Sequence, residues 1–231
     1  MIMLCLLPIF YIGVFIYMKK KKAAQKEELA KTDFQQEINN AGVYRDQWLS
    51  KKWKFLREEM KMQPIDANNY ANFSYTTKDS LKDGMKDSIK SLATLGMVRY
   101  NTVQTPNYLI LSGKELHFFK LEPDDSVGVH LVIDADKLRN SSISSTSLSK
   151  SELAYAKQKG DIVKGYKLTL QTNEKPLELV VFSALIFTFP YEMKANIFDS
   201  AKDNVISIAI ASDFLIKLGK LYPNLKVDLE F

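Results

Sequence analysis

The stretch NYLILSGKELHFFKL, Asn107 to Leu121, decides the fold class of this chain. Two runs dense in aromatic and branched aliphatic residues flank Ser112-Gly113-Lys114-Glu115, and Gly113 can take the positive φ that a tight hairpin turn demands. The pattern predicts antiparallel strands at Asn107–Leu111 and Glu115–Leu121. Just upstream, Met97 to Gln104 reads as a strand closed by Thr105-Pro106. Downstream, Glu122-Pro123-Asp124-Asp125 turns the chain. Val127, Val129, Leu131 and Ile133 then alternate along a strand whose other face carries Gly128, His130 and Val132.

Asn140 to Ser151 contains seven Ser and one Thr, too little apolar area to order itself, and reads as an exposed loop. Ser149 and Glu152 have capping-box spacing for a short helix running to Lys157. Ile162 to Gln171 alternates, and a turn at Asn173 to Pro176 joins it to the apolar run Leu177 to Phe189, making a second hairpin. That run of thirteen residues is too short for a comfortable membrane span, so it reads as a buried strand bending near Ser183-Ala184. Ile206, Ile210, Phe214, Leu218 and Leu221 form a helical stripe with Asp203 as N-cap and Pro223 as stop. Leu225, Val227, Leu229 and Phe231 suggest a final strand. From Met97 to Leu221, antiparallel strands and hairpins followed by one amphipathic helix give an order that resembles a pleckstrin-homology-type barrel. The resemblance implies a PH-like lipid-surface binding domain.

The N-terminus is of another kind. MIMLCLLPIFYIGVFIYM, Met1 to Met18, is uncharged over eighteen residues, roughly 27 Å of helix against ~30 Å of hydrocarbon. Lys19, Lys20, Lys21 and Lys22 follow it, and no basic residue precedes it. A cleaved secretory signal has the opposite charge order and a small-residue cleavage site. The positive-inside rule therefore predicts a single-pass signal-anchor with its N-terminus outside and the remaining chain in the cytosol. Cys5, the only cysteine, lies within this run, which leaves no disulfide framework and no thiolate metal site.

Between Lys19 and Lys61 lie 12 of the 32 Lys and Arg against 7 acidic residues, and from Met62 onward the two balance at 20 each. The net charge of +5 thus belongs to the membrane-proximal segment, and the remainder carries no electrostatic footprint for nucleic acid. That segment reads as helix broken near Asn39-Asn40-Ala41-Gly42. Leu49, Trp53, Leu56 and Met60 stack on one face, ringed by Lys51, Lys52, Lys54, Arg57 and Lys61. Such a helix can pack on a protein core, or Trp48 and Trp53 can sit at headgroup depth. Pro64 stops it, Ile65 to Thr77 shows no period and reads as a surface loop, and Lys78 to Leu95 reads as a further helix ended by Gly96.

The expectation is an α+β protein: a transmembrane anchor over 1–18, a basic helical connector over 19–62, and over 63–231 an antiparallel β-rich domain covered by a C-terminal helix. The membrane-interface residues expected are Lys19, Lys20, Lys21, Lys22, Trp48 and Trp53. His117 and His130 stand on strands without metal-ligand spacing, and Asp124-Asp125 and Asp134-Ala-Asp136 fall in turns, which explains Asp there without catalysis. No nucleophile elbow, phosphate loop, HExxH or dinucleotide motif occurs. No cofactor, metal or catalytic residue is expected. The function expected is a non-enzymatic interaction or accessory module that holds the bilayer through residues 1–22 and meets a membrane protein partner. The alternatives are the PH-like lipid binder and a membrane-associated enzyme without a recognisable motif.

Overall fold

The computed structural model of the chain describes residues 15–17, 19–21, 23–51, 54–73, 107–122, 126–148, 153, 156, 162–173, 175–186 and 200–230. The expected helix at Lys78–Leu95, the strand at Met97–Gln104, Lys22, Trp53, Asp124-Asp125, the continuation past Ile186 and most of the helix after Ser149 lie outside them.

The strands are β1 (Ala67–Phe73), β2 (Asn107–Ser112), β3 (Glu115–Leu121), β4 (Val127–Ile133), β5 (Ser142–Ser145), β6 (Gly165–Leu170) and β7 (Leu177–Phe182). They form one open antiparallel sheet in the order β4-β3-β2-β1-β7-β6-β5. The predicted hairpin is present, with Gly113 at φ +57. β1 joins two meanders: Ala67 to Ala71 pair with β2, while Asn72 and Phe73 pair with β7.

This central strand is the segment whose sequence suggests a loop. Its side chains are buried from Ala67 to Asn72, so no face alternates with solvent and the period-2 signal is lost. Its asparagines serve as connectors. Asn69 Nδ2 donates to the Phe182 carbonyl at 3.0 Å, Asn72 Nδ2 donates to the Ile186 carbonyl at 3.1 Å, and Asn107 Nδ2 returns a bond to the Ala71 carbonyl at 3.1 Å.

Two further expectations change. Ser142–Ser145, expected within a loop, is the short edge strand β5, whose backbone pairs with β6 while only Ile143 packs inward. The C-terminal segment forms a 3-10 helix at Pro223–Leu225 and then runs extended without joining a ladder. Its alternation is real in burial, since Val227 and Leu229 pack on the core beneath Leu225. The tail lies so close to the long helix that a Cβ on Gly219 would meet Lys226 Cα at 2.8 Å.

That long helix, Ala201–Leu221, follows three N-terminal helices, α1 (Phe34–Asn39), α2 (Ala41–Lys51) and α3 (Lys54–Glu59), and the short α4 (Ala135–Arg139), and is called α5. Residues 23–30 are also helical. The break at Asn40 is as expected, and a second lies at 31–33, where Asp33 caps α1. The cap of α5 is Ser200, not Asp203: Ser200 Oγ accepts from Asp203 N, and the Asp203 carboxylate accepts from Ser200 N, a reciprocal capping box that places Asp203 one turn inside. Asp134, expected in a turn, instead caps α4, with Asp136 inside its first turn, and pairs with Lys137 at 2.7 Å.

α5 touches all three apolar clusters. Phe214, Leu215 and Leu218 meet Leu109, Phe118, Leu168 and Val181 of the sheet. Ile210 and Ala211 join Leu49, Leu56 and Met60 of the connector stripe with Tyr108, Ile110 and Phe119. Val205 and Ile208 join Phe34 and Phe182. Helices 34–59 therefore share a core with the strands. Two hydroxyls of α5 bind the chain after β7: Ser207 Oγ accepts from Leu185 N at 2.9 Å and Ser212 Oγ donates to the Ser183 carbonyl at 3.2 Å, where the predicted bend occurs. Asp66, just before β1, is a junction. Its carbonyl accepts from Arg45 of α2 and from Lys217 of α5, and its carboxylate accepts from Gly113 N at 2.6 Å.

Candidate functional site

The outer hairpin of the sheet brings together what the sequence keeps thirteen residues apart. β3 and β4 pair with Phe119 opposite His130 and His117 opposite Val132, so both imidazoles and Phe119 share one face. His117 Nδ1 and His130 Nε2 lie 3.0 Å apart. The His130 ring stacks on Phe119 at 4.1 Å between centroids, with an interplanar angle of 18°. From the sequence the two histidines stand on strands without metal-ligand spacing. In the structure His117 is 3% exposed and its partner is His130. A cross-strand diagonal is not a sequence spacing, and only the register of the β3–β4 pair reveals it.

The rings share one proton in their hydrogen bond, which requires at least one to be neutral. Burial lowers the pKa of His117, a charge on His130 would lower it further, and Glu115 opposes both. Burial also lowers His130, opposed by Glu59 and assisted by Lys61. His117 Nε2 is buried without a hydrogen-bond partner, since the Glu115 carboxylate stops 3.8 Å away. Among the described residues no group of three or more His, Cys, Asp or Glu could hold a metal ion. The pair is a hydrogen-bonded element backed by Phe119, with burial holding both rings below the usual imidazole pKa.

Among the described residues β4 is the outermost strand on this side of the sheet, and Val129, Leu131 and Val132 are 36%, 38% and 45% exposed. The expected strict alternation along β4 is interrupted, because Lys120 pairs with Val129 and Leu121 with Val127, so Gly128 is bulged. The bulge turns Val127 onto the histidine face, where it packs with the second cluster, while Ile133 enters the first. Val129 to Ile133 remains a regular, uncharged edge.

The expected membrane-interface residues are not gathered here. Lys19 and Lys20 are exposed and Lys21 half-buried on the first described helical residues, and Trp48 is half-buried against the second cluster. Phe15, Ile16 and Tyr17 are helical and exposed. Among the described residues no helix is long and apolar enough to cross a membrane, and residues 1–14 and 18 lie outside them. No family model, curated protein or solved structure matches the chain.

Proposed function

We propose that this chain is a membrane-anchored, non-enzymatic interaction module acting as an accessory subunit of a membrane protein assembly, with its α+β domain on the cytosolic side. One observation carries the reading: Phe15, Ile16 and Tyr17 stand exposed at the end of an uncharged run and directly before Lys19–Lys22. Three large apolar side chains facing water are unfavourable, at ~25 cal/mol per Å² of apolar surface, and hydrocarbon removes that penalty while the lysines stay at the headgroups. The apolar edge of β4 favours contact over catalysis. A tethered domain meets membrane partners at raised effective concentration, so modest contacts suffice. Extracting the full chain in mild detergent and identifying what copurifies tests this: a stoichiometric membrane protein supports it, and a monodisperse chain alone contradicts it.

A second reading, a PH-like lipid-surface domain, is favoured by two antiparallel meanders meeting at β1 and covered by one C-terminal helix. Fold alone does not establish that function. Headgroup-dependent flotation of the full chain bearing Lys19–Lys22 unchanged, competed by soluble headgroup, would favour it.

A further inference from the structure

We infer that the outer edge of β4 docks against the same edge of a second copy of this chain, an inference that rests on the tethered-module reading. Natural edge strands are blunted by charge, proline or shortness, because an exposed row of unpaired N–H and C=O groups invites another strand. The two edges of this sheet differ in that respect. β5 is four residues, three of them serine, and its one apolar residue, Ile143, packs inward. β4 has neither charge nor proline, and it exposes Val129 and Leu131 on one face and Val132 on the other.

The pattern of β4 points to its own copy as the occupant. From Val129 to Ile133, beyond the Gly128 bulge, the edge is regular, and its midpoint is Leu131. Antiparallel pairing about Leu131 sets Leu131 against Leu131 and Val129 against Ile133 on one face, so apolar positions meet apolar positions there, and it sets His130 against Val132 on the other, where no charged residue meets another. The arrangement is isologous and closed by a two-fold axis. A charged partner strand would place its charges against valine and leucine without compensation. A five-residue strand pair falls short of the roughly 1,200 Å² buried by stable complexes, so confinement of both copies to one membrane face supplies the missing effective concentration.

Cysteine pairing in the full chain tests this, with Cys5→Ser as background and the protein reconstituted into phosphatidylcholine–phosphatidylglycerol vesicles. Antiparallel partners have Cα atoms about 4.5–5.5 Å apart, within disulfide reach. Under mild oxidation Leu131→Cys should form a disulfide dimer, and a mixture of His130→Cys and Val132→Cys chains should form the crossed one. Each should form at least about tenfold faster than Ser144→Cys, which reports random encounter at the β5 edge. Adding Val129→Lys should abolish the Leu131→Cys dimer; both side chains are exposed, so neither change disturbs the core. Equal rates at β4 and β5, or no β4 disulfide, overturns the inference. Sedimentation of the vesicles after carbonate separates the two ideas. A pelleted chain without the β4 disulfide loses the edge pairing and keeps the tether. A chain in the supernatant that still forms it loses the tether and keeps the pairing.

Discussion

His117 Nδ1 and His130 Nε2 stand 3.0 Å apart across adjacent strands, and burial holds both rings below the usual imidazole pKa. In the unfolded chain each titrates near about 6.5. A group with a depressed folded pKa contributes stability that is fully present above its unfolded value and is lost as pH falls from there through the folded one. The urea midpoint of the full chain in mild detergent should therefore be level between about pH 7 and 8 and fall as the pH drops below about 6.5. His117→Phe should flatten that fall; an equally steep fall in the variant would remove the pair as its cause.

Neighbouring asparagines of β1 should respond in opposite directions. Asn68 is 2% exposed, and neither its Nδ2 nor its Oδ1 has a hydrogen-bond partner. Asn69 donates to the Phe182 carbonyl and accepts from Tyr70 N at 2.8 Å. An unpaired buried amide costs about 1–3 kcal/mol, whereas a satisfied one is lost at similar expense. Asn68→Leu, close in volume, should raise stability by about 1 kcal/mol, and Asn69→Leu should lower it by about 1–3 kcal/mol. Denaturant midpoints for the two variants check the signs.

The end of α3 carries strain that a glycine would release. Lys61 and Met62 have φ of 47 and 69, the left-handed region, and Met62 is exposed. That conformation costs an L-residue roughly 1–2 kcal/mol, partly offset by the greater entropy of an unfolded glycine. Met62→Gly should therefore raise the melting temperature, reflecting a gain of about 0.5–1 kcal/mol. A lower melting temperature would mean that the Met62 side chain contributes contact elsewhere.

The capping box of α5 gives a test of local origin. Ser200→Ala removes the oxygen that accepts from Asp203 N at 3.1 Å and should cost about 1 kcal/mol. Asp203→Ala should cost less, because it leaves the Ser200 bond intact. Thermal denaturation of the two variants ranks them.

The legible parts of this fold were those whose residue types match their element. The hairpin at Gly113, strands β6 and β7, the Ser183-Ala184 bend and the stripe Leu49, Leu56, Met60 all follow from turn chemistry, dense β-branched and aromatic residues or helical spacing. β1 escaped because a strand buried on both faces and rich in asparagine carries neither alternation nor β propensity. β5 escaped for the opposite reason: an edge strand can be held by backbone pairing alone, which leaves serine free to occupy it. The histidine pair depends on register, a property of two strands together. The Gly128 bulge hides in the same way, since it exists only relative to Lys120 and Leu121.

Anchoring in the bilayer is the claim on which the functional account stands, and alkaline carbonate treatment of membranes from cells expressing the full chain tests it most directly. The account predicts that the chain stays in the pellet with the integral proteins and is released only by detergent. Recovery of the intact chain in the carbonate supernatant would contradict it.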